Sequence, residues 1–277
     1  MPLENGRHAR ARPREAESRA VAAADRAQQE RWRAFYRPSN YELPRPDQDP
    51  YFARLAAARL DQVRRHYRGG RALDLGCGAG HYALALAAHV EQIIGIDFSP
   101  EMVRAASCEA RRRSHRHLQF CVANARRIPL PDATVSLVYS FALLYTVPAV
   151  EDVVEEVSRV LVPGGVAVLE FGALYSLNTI VSRAMEELAR PFHLPVREMQ
   201  AILTRCGLVM EEDRSFQILP FWGVRPLWML PLLLPCWKRL AALPVAGRML
   251  DERISSLPGL RRFAFRHMIT CRRRTGE

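Results

Sequence analysis

Short apolar runs alternate with helical patterns across the middle of this chain of 277 residues, and this alternation most restricts the fold. The apolar runs have the length of strands and lie at 71–75, 92–96, 118–122, 134–140 and 165–171. Between them, apolar residues recur at helical spacing over 80–89, 100–113 and 149–161. Strands that alternate with helices form βαβ units. The pattern therefore predicts an α/β fold with a mostly parallel sheet and helices on both faces.

The flanks of this region add elements of both kinds. Helical spacing predicts helices at 26–37 and 51–67, and a further helix at 195–205. A strand is expected from Leu208 to about Phe216, and a last strand from Phe263 to Cys271. The predicted division of the chain is a mixed-charge tail, expected to be disordered, at 1–30, a helical lid at 31–70, a core at 71–216, an apolar cap insertion at 217–262, and the last strand and tail at 263–277.

The charge of the chain is strongly basic and unevenly distributed. The formal net charge is +11, whereas residues 71–213 carry −4 and residues 214–277 carry +9. Basic flanks suit an anionic partner, but only one of the 40 basic residues is lysine, so a bias of the genome toward arginine explains them equally well. The six cysteines show no spacing of metal ligands or of a disulfide framework, which predicts reduced thiols and no metal site.

A glycine-rich turn follows the first strand of the alternating region, in the sequence ALDLGCGAG at 72–80. Such glycines let the backbone approach a ligand closely, next to the free N–H groups of a helix N-terminus. The third glycine of a dinucleotide fingerprint would fall at His81, so the pattern is G-x-G-x-G after Asp74. A carboxylate there suits a ligand with an ammonium group better than a pyrophosphate. Asp97, at the end of the second strand, can accept both hydroxyls of a ribose.

In this order and spacing the motifs resemble those of the class I S-adenosylmethionine-dependent methyltransferases. The four segments that carry the resemblance, which covers roughly residues 55–215, are DLGCGAG (74–80), GIDFS (95–99), ANARRIPLPD (123–132) and RVLVPGG (159–165). The resemblance implies a Rossmann-like fold with a mostly parallel seven-stranded sheet, here with an N-terminal helical extension and an apolar insertion before the last strand. It also implies S-adenosylmethionine as the cofactor.

The resemblance assigns roles to particular residues. It implies that Asp97 binds the ribose, that Phe98 and Met102 lie near the adenine, and that Asn124 meets the adenine amino group, where many members have Asp. Cys77 is expected to fill the loop rather than to act as a nucleophile, because no base lies near it in the sequence. The expected cofactor-binding residues are Asp74, Gly76, Cys77, Gly78, Gly80, Asp97, Phe98, Met102, Asn124, Ala125 and Ser140.

The end of the fourth strand, YSFALLY at 139–145, is expected to face the acceptor. It lacks the Asn/Asp-Pro-Pro-Tyr/Phe signature of enzymes that methylate the amines of bases, and also the carboxylate ligands of metal-dependent catechol methylases. An apolar wall remains. Tyr145 and His193 are the candidate proton acceptors, although a buried tyrosine and a loop histidine are more often structural.

Residues 218–237 carry a single charge, Arg225, in 20 residues, yet they contain four prolines. Each proline removes a helical hydrogen bond that lipid cannot replace, which argues against a membrane-spanning helix. The segment lies in the connection between the last two predicted strands, which is expected to emerge at the mouth of the site. Its tryptophans and the arginines after it suit the surface of an anionic bilayer, while a cap that packs only on its own domain is the alternative.

Three classes of function stay open at this point. The first is a methyltransferase for a small hydrophobic, lipid-like or aromatic acceptor, methylated on O, N or C. Residues 123–147 resemble the ubiquinone/menaquinone C-methyltransferases, and a phospholipid N-methylase or a natural-product O-methylase fits as well. The second is an RNA methyltransferase that uses the basic flanks, and the third is a cofactor-binding protein without activity. Since no secretory signal is recognised, a cytoplasmic location is expected, peripheral on the inner membrane face if the cap meets lipid.

Overall fold

A computed structural model describes residues 30, 43, 45, 47–185, 191–223 and 225–275 of the chain. The predicted tail at 1–30 and the predicted helix at 26–37 therefore lie outside the described residues, apart from Glu30. The same holds for residues 31–42, the first part of the predicted lid.

Seven strands form one sheet, in the order β3-β2-β1-β4-β5-β7-β6. Neighbours among the first five strands are parallel, and β7 runs antiparallel to both β5 and β6. The predicted α/β fold is confirmed. The strands are β1 (Arg71–Leu75), β2 (Gln92–Asp97), β3 (Leu118–Val122), β4 (Val135–Ser140), β5 (Leu161–Gly172), β6 (Leu208–Phe216) and β7 (Arg266–Arg273).

The helices follow the strands closely. Four of them match predicted helices to within one residue at either end, and α2 ends three residues earlier than the pattern indicated. The helices α5, α7 and α8 were not predicted. The bounds are α1 (Pro50–His66), α2 (His81–Leu86), α3 (Pro100–Arg112), α4 (Val150–Val160), α5 (Leu177–Ala184), α6 (Val196–Arg205), α7 (Pro235–Ala241) and α8 (Leu250–Ser255).

Two strands differ from the prediction by more than one residue. β5 begins at Leu161 rather than at 165, because Leu161 pairs with Val135 before the irregularity at the Pro163 turn and the ladder then resumes. The last strand runs from Arg266 to Arg273 rather than from Phe263 to Cys271, because residues 261–263 form a 3-10 turn that ends the preceding insertion.

Two buried layers enclose the sheet, and β5 shows how the sequence divides between them. Ala167, Leu169 and Phe171 belong to the layer formed with α4 and α6, whereas Val166 and Val168 belong to the layer formed with α1 and α2. Successive residues of a strand point to opposite faces. Glu170, the next member of the second set, is thereby directed to the α1 side.

Glu170 is fully buried and binds two arginines there. Its carboxylate accepts hydrogen bonds from Nε and Nη2 of Arg59, at 2.8 and 2.5 Å, and from Nη1 of Arg266 at 2.6 Å. Arg59 also donates to the Tyr82 hydroxyl at 2.7 Å. Burial raises the pKa of Glu170, but the two guanidinium groups outweigh it and hold that pKa below its usual value. The contact joins α1, α2, β5 and β7, so the described part of the predicted lid is built into the core.

The cap, residues 217–262, connects β6 to β7. It consists of a 3-10 turn at 227–233, the helix α7, a hairpin of two-residue strands at 244–249, and the helix α8. Asp251 attaches it to the body, because its carboxylate accepts hydrogen bonds from the Tyr51 hydroxyl at 2.7 Å and from the Gln217 N–H at 2.6 Å. Among the described residues, no helix has the length and apolar character needed to cross a bilayer.

Candidate cofactor and acceptor site

The glycine-rich turn closes against β2 after β1 ends. The N–H groups of Gly76 and Cys77 both donate to the Ile96 carbonyl, at 2.8 and 3.0 Å. At Gly80, which has a φ of +77°, a Cβ would come within 2.9 Å of the Ala106 Cβ, so this glycine serves helix and strand packing. At Gly78, with a φ of +51°, a Cβ would meet nothing within 4 Å. Gly78 therefore marks the side of the loop that a ligand can approach.

Asp97 links this loop to the next helix. Its Oδ2 accepts from the Gly78 N–H and its Oδ1 from the Ser99 N–H, each at 2.9 Å. Ser99 in turn caps α3, its hydroxyl accepting from the Met102 N–H. Each carboxylate oxygen can accept more than one hydrogen bond. Asp97 is half-buried, so a ligand can approach its carboxylate.

A small open cleft lies beside Asp97 at the carboxyl ends of the parallel strands. Ligands of open α/β sheets bind at this edge, where the strand order reverses. Five of the predicted cofactor residues line it: Gly76, Asp97, Phe98, Asn124 and Ala125.

Half of the cleft wall was not predicted, namely Ile96, Ala123, Leu143, Thr146 and Val147. Three of these residues, Leu143, Thr146 and Val147, follow β4. They lie in or directly after the segment 139–145, which was expected to face the acceptor. The sequence indicated only that these residues follow the end of a strand. The 3-10 turn at 144–146 directs them toward the cofactor side.

Asp74 lies beneath the loop and is almost fully buried. Burial raises its pKa to about 8, an effect that the neighbouring Tyr139 hydroxyl and the Ala83 N–H oppose. Within the described residues, Oδ2 of Asp74 and the hydroxyl of Tyr139 form no well-aligned hydrogen bond. A buried carboxyl with an unused acceptor atom fits a ligand that brings an ammonium donor. This arrangement agrees with the cofactor that the sequence resemblance implies.

The contacts of the other predicted cofactor residues lie within the protein itself. The Ser140 hydroxyl donates to the Leu75 carbonyl at 2.8 Å and thus connects β4 to β1. Met102 is buried in the first turn of α3. Burial raises the pKa of the Cys77 thiol well above its usual value, as expected of a residue that fills the loop. Asn124 accepts from the Arg126 N–H at 2.9 Å through its side-chain oxygen. Cofactor contacts of these residues stay predictions.

The two candidate proton acceptors, far apart in the sequence, come together beyond β4 and β5. Backbone hydrogen bonds from Phe192 to the Tyr145 carbonyl and from Leu194 to the Gly172 carbonyl hold this part of the chain in place. The rings of Tyr145 and His193 lie 6.3 Å apart. Phe265 contacts both rings, with centroids 5.8 Å from Tyr145 and 5.1 Å from His193.

The hydrogen bonds of His193 indicate which of its nitrogens carries the proton. Nδ1 lies 2.7 Å from the Thr179 hydroxyl, which itself lies 3.2 Å from the Ala173 carbonyl. If the hydroxyl donates to that carbonyl, Nδ1–H must donate to the hydroxyl, and Nε2 presents a lone pair. Nε2 is buried and has no hydrogen-bond partner among the described residues. Burial, then Arg183 and Arg266, lowers the pKa of His193 to about 4, so the ring is neutral at pH 7.

Comparison with known proteins agrees with this geometry. A family model described as a methyltransferase domain matches residues 73–169. The uncharacterized methyltransferase YcgJ of Bacillus subtilis is 36% identical over 95 residues, 34% of this chain and 38% of that protein. The demethylmenaquinone methyltransferase of Bacillus licheniformis is 30% identical over 183 residues, 56% of this chain and 75% of that protein.

A solved structure shares the fold. The geranyl diphosphate C-methyltransferase of Streptomyces coelicolor superposes with a TM-score of 0.56 at 19% identity, covering 80% of this chain and 79% of the other. Identity this low supports the fold alone. The chain spans about half or less of the length of the first curated relatives it matches.

Replacing Asp97 by Asn tests the ribose assignment. Hydrogen bonds to a charged group contribute about 1.5–3 kcal/mol, roughly twice those to a neutral one, so the affinity for S-adenosylmethionine should fall at least tenfold. Titration calorimetry measures this, with the exposed Asp61→Asn on α1 as the control. Asn retains the size of the side chain, which spares the loop better than Ala would. Unchanged affinity would show that another residue binds the ribose.

Replacing Asp74 by Asn should stabilise the protein without cofactor and weaken cofactor binding. A pKa raised to about 8 contributes stability that is complete below the unfolded pKa and lost as pH rises through 8. The variant cannot ionise, so its melting temperature should exceed that of the wild type by more at pH 9 than at pH 5. Calorimetric melting at both pH values is the measurement. Parallel curves for the two proteins would contradict the buried, protonated Asp74.

Proposed function

Because the chain belongs to the class I S-adenosylmethionine-dependent methyltransferases, we propose that it transfers the methyl group of this cofactor to a small hydrophobic acceptor. The observation that carries the proposal is the meeting of aromatic side chains with a few buried polar groups beyond β4 and β5. The cofactor supplies a methyl group activated by its sulfonium, so much of the rate can come from positioning alone.

The residues of the cleft have distinct tasks in this proposal. Asp97 accepts hydrogen bonds from the ribose hydroxyls. The free oxygen of Asp74 accepts from the ammonium of the methionine part. Gly78 leaves the space through which the ligand reaches the loop. Asn124 lines the cleft, and its task in this proposal is to meet the adenine amino group.

The acceptor side is mostly aromatic. The ring of Phe141 lies 4.9 Å from Tyr82 and 5.8 Å from Tyr139, and a second group forms around Phe265. Arg59 and Arg266, which both bind the buried Glu170, adjoin these rings. Sites for small apolar ligands combine such walls with a small number of polar groups that fix orientation. Two similar proteins are named for demethylmenaquinone and for geranyl diphosphate, and this supports a lipid-like acceptor.

His193 gives this site a means of recognising a hydroxyl. In this proposal Nδ1–H donates to the Thr179 hydroxyl, which holds the neutral ring so that Nε2 is the acceptor. A pKa of about 4 makes His193 a weak base at pH 7, so its part is to accept a hydrogen bond from the acceptor rather than to remove a proton unaided.

Methyl transfer from labelled S-adenosylmethionine tests the proposal directly. The purified chain is incubated with a lipid extract, a panel of phenols and quinols, and total RNA. Label should enter the organic-soluble fractions and not the RNA. Label in RNA alone would contradict a hydrophobic acceptor, and no label anywhere, despite tight cofactor binding, would favour a binding protein without activity.

With an acceptor identified by that assay, replacing His193 by Phe should raise the KM for a hydroxylated acceptor about tenfold, the effect of losing roughly 1.4 kcal/mol of hydrogen bonding. The KM for the cofactor should not change. His89→Phe, at an exposed position, is the control. Thr179→Val should show a smaller effect of the same kind, because it releases the ring without removing Nε2. Equal KM values for the acceptor in wild type and His193→Phe would make His193 purely structural.

A further inference from the structure

Exposed apolar side chains are concentrated on the cap. Of the 17 large hydrophobic residues with exposed side chains in the described part of the chain, 12 lie between Leu227 and Phe263. Leu227 and Trp228 are the most exposed of all, at 72% and 64%. The others are Leu230, Leu234, Trp237, Leu240, Leu243, Val245, Ile254, Leu257, Leu260 and Phe263. Monomeric proteins rarely place so much apolar surface in one region unless it binds something.

The local structure explains why these side chains remain outside. In the 3-10 turn at 227–233 only Met229 is buried, and in α7 no residue is buried. Pro231 lies within the turn, and the indole N–H of Trp237 donates to its carbonyl at 2.9 Å, which joins the turn to α7. The apolar residues therefore stand on short, internally bonded elements that present them to the surroundings.

Acidic side chains, by contrast, are buried beneath the cap together with Met229, Ala242 and Met249. Its two acidic residues, Asp251 and Glu252, are both buried. Asp251 holds Tyr51 and the chain at Gln217, as described above, and Glu252 binds Arg214 with a shortest separation of 2.8 Å. The cap thus buries both of its carboxylates against the body and exposes most of its leucines, Trp228 and Trp237.

The exposed charges of the cap are all positive. Arg225, Arg239, Arg253 and Arg262 are exposed, and none forms a salt bridge with any residue that the structure describes. The whole region from residue 214 onward carries +9. Arginine can extend a long apolar stem beside buried hydrocarbon while its charge remains in water.

From these observations we propose that the cap docks the protein on the surface of an anionic lipid bilayer. Leu227, Trp228 and their apolar neighbours enter the interface between headgroups and acyl chains, where tryptophan is favoured because its ring is apolar and its N–H is polar. The four unpaired arginines contact the anionic headgroups. The exposed surface of the cap, as far as the structure describes it, is apolar and positively charged, with no acidic side chains. It is therefore complementary to the surface of an anionic bilayer.

The docked cap also has a connection to the candidate acceptor side. Its Trp222 indole donates to the Asn178 side-chain oxygen at 3.0 Å, and Gln217 bonds both Asn178 and Arg266, at 2.9 and 2.8 Å. Arg266 binds Glu170 beside the aromatic wall. A lipid-like acceptor would then enter from the membrane through the cap, a step that rests on the proposed function. Membrane docking itself does not, because vesicle binding requires neither cofactor nor acceptor.

Sedimentation of the full chain with vesicles tests the docking. The chain should sediment with vesicles of phosphatidylcholine and phosphatidylglycerol, and much less with phosphatidylcholine alone. Raising the salt from 0.05 to 0.5 M should weaken binding at least tenfold, because surface charges are then screened. Leu227→Ser/Trp228→Ser should bind at least tenfold more weakly. The matched control, Val209→Ser/Met210→Ser on β6, removes two exposed apolar side chains outside the cap and should bind like the wild type.

Two further measurements separate docking from the alternatives. Brominated acyl chains should quench part of the tryptophan fluorescence, and this part should be lost in Trp228→Phe. All variants should bind S-adenosylmethionine like the wild type, which verifies their folding. The proposal is overturned if the wild type ignores anionic vesicles, or if the double variant binds them equally well. A dimer in gel filtration that only the cap variant dissociates, without vesicle binding, would identify a second copy of the chain as the occupant instead.

Discussion

The buried contact of Glu170 with Arg59 and Arg266 organises one whole side of this molecule. Its members come from a helix near the beginning of the described chain, the central strand β5 and the last strand, so it can form only after the sheet and α1 have assembled. Three desolvated charges are costly, and removing one partner of a buried ion pair typically costs about 3–5 kcal/mol. This contact explains why α1 is a fixed layer over the sheet. It also places the polar groups of the acceptor side beside Tyr82, Phe141 and Phe265.

The alternation of β5 determines what lies at its end. Val166 and Val168 face α1, and Glu170 faces it too because every second residue of a strand lies on the same face. Two residues further along, the strand ends at Gly172. A Cβ at Gly172 would come within 2.8 Å of the His193 ring, so the absence of a side chain there lets the histidine lie across the strand end. His193 is thus positioned by a glycine 21 residues earlier and by the Thr179 hydroxyl on α5.

The sequence pattern correctly predicted those elements whose limits are set by neighbouring residues in the chain. The strands at 71–75, 118–122 and 208–216 were predicted to the residue, because turn residues flank apolar runs of the length of a strand. The loop at 76–80 was predicted from its glycines. The contacts of Glu170 join residues 111 and 96 positions apart, which no periodicity reveals. The same applies to Leu143, Thr146 and Val147, whose direction into the cleft depends on a 3-10 turn. The burial of Asp251 and Glu252 beneath the cap could not be predicted from the apolar run at 218–237, because these residues and their partners Tyr51 and Arg214 lie outside that run.

The two carboxylates of the cofactor side show how the same group acquires different properties from its surroundings. Asp97 is half-buried, and each of its oxygens accepts a hydrogen bond from a backbone N–H. Asp74 is buried with an oxygen left unsatisfied, so the protein without cofactor retains a proton there that an ionised ligand partner would displace. Such a group lowers the stability of the free protein at neutral and higher pH. This cost to the fold supports our proposal that Asp74 receives a cationic ligand, and an acid before the glycines suits such a ligand better than a pyrophosphate.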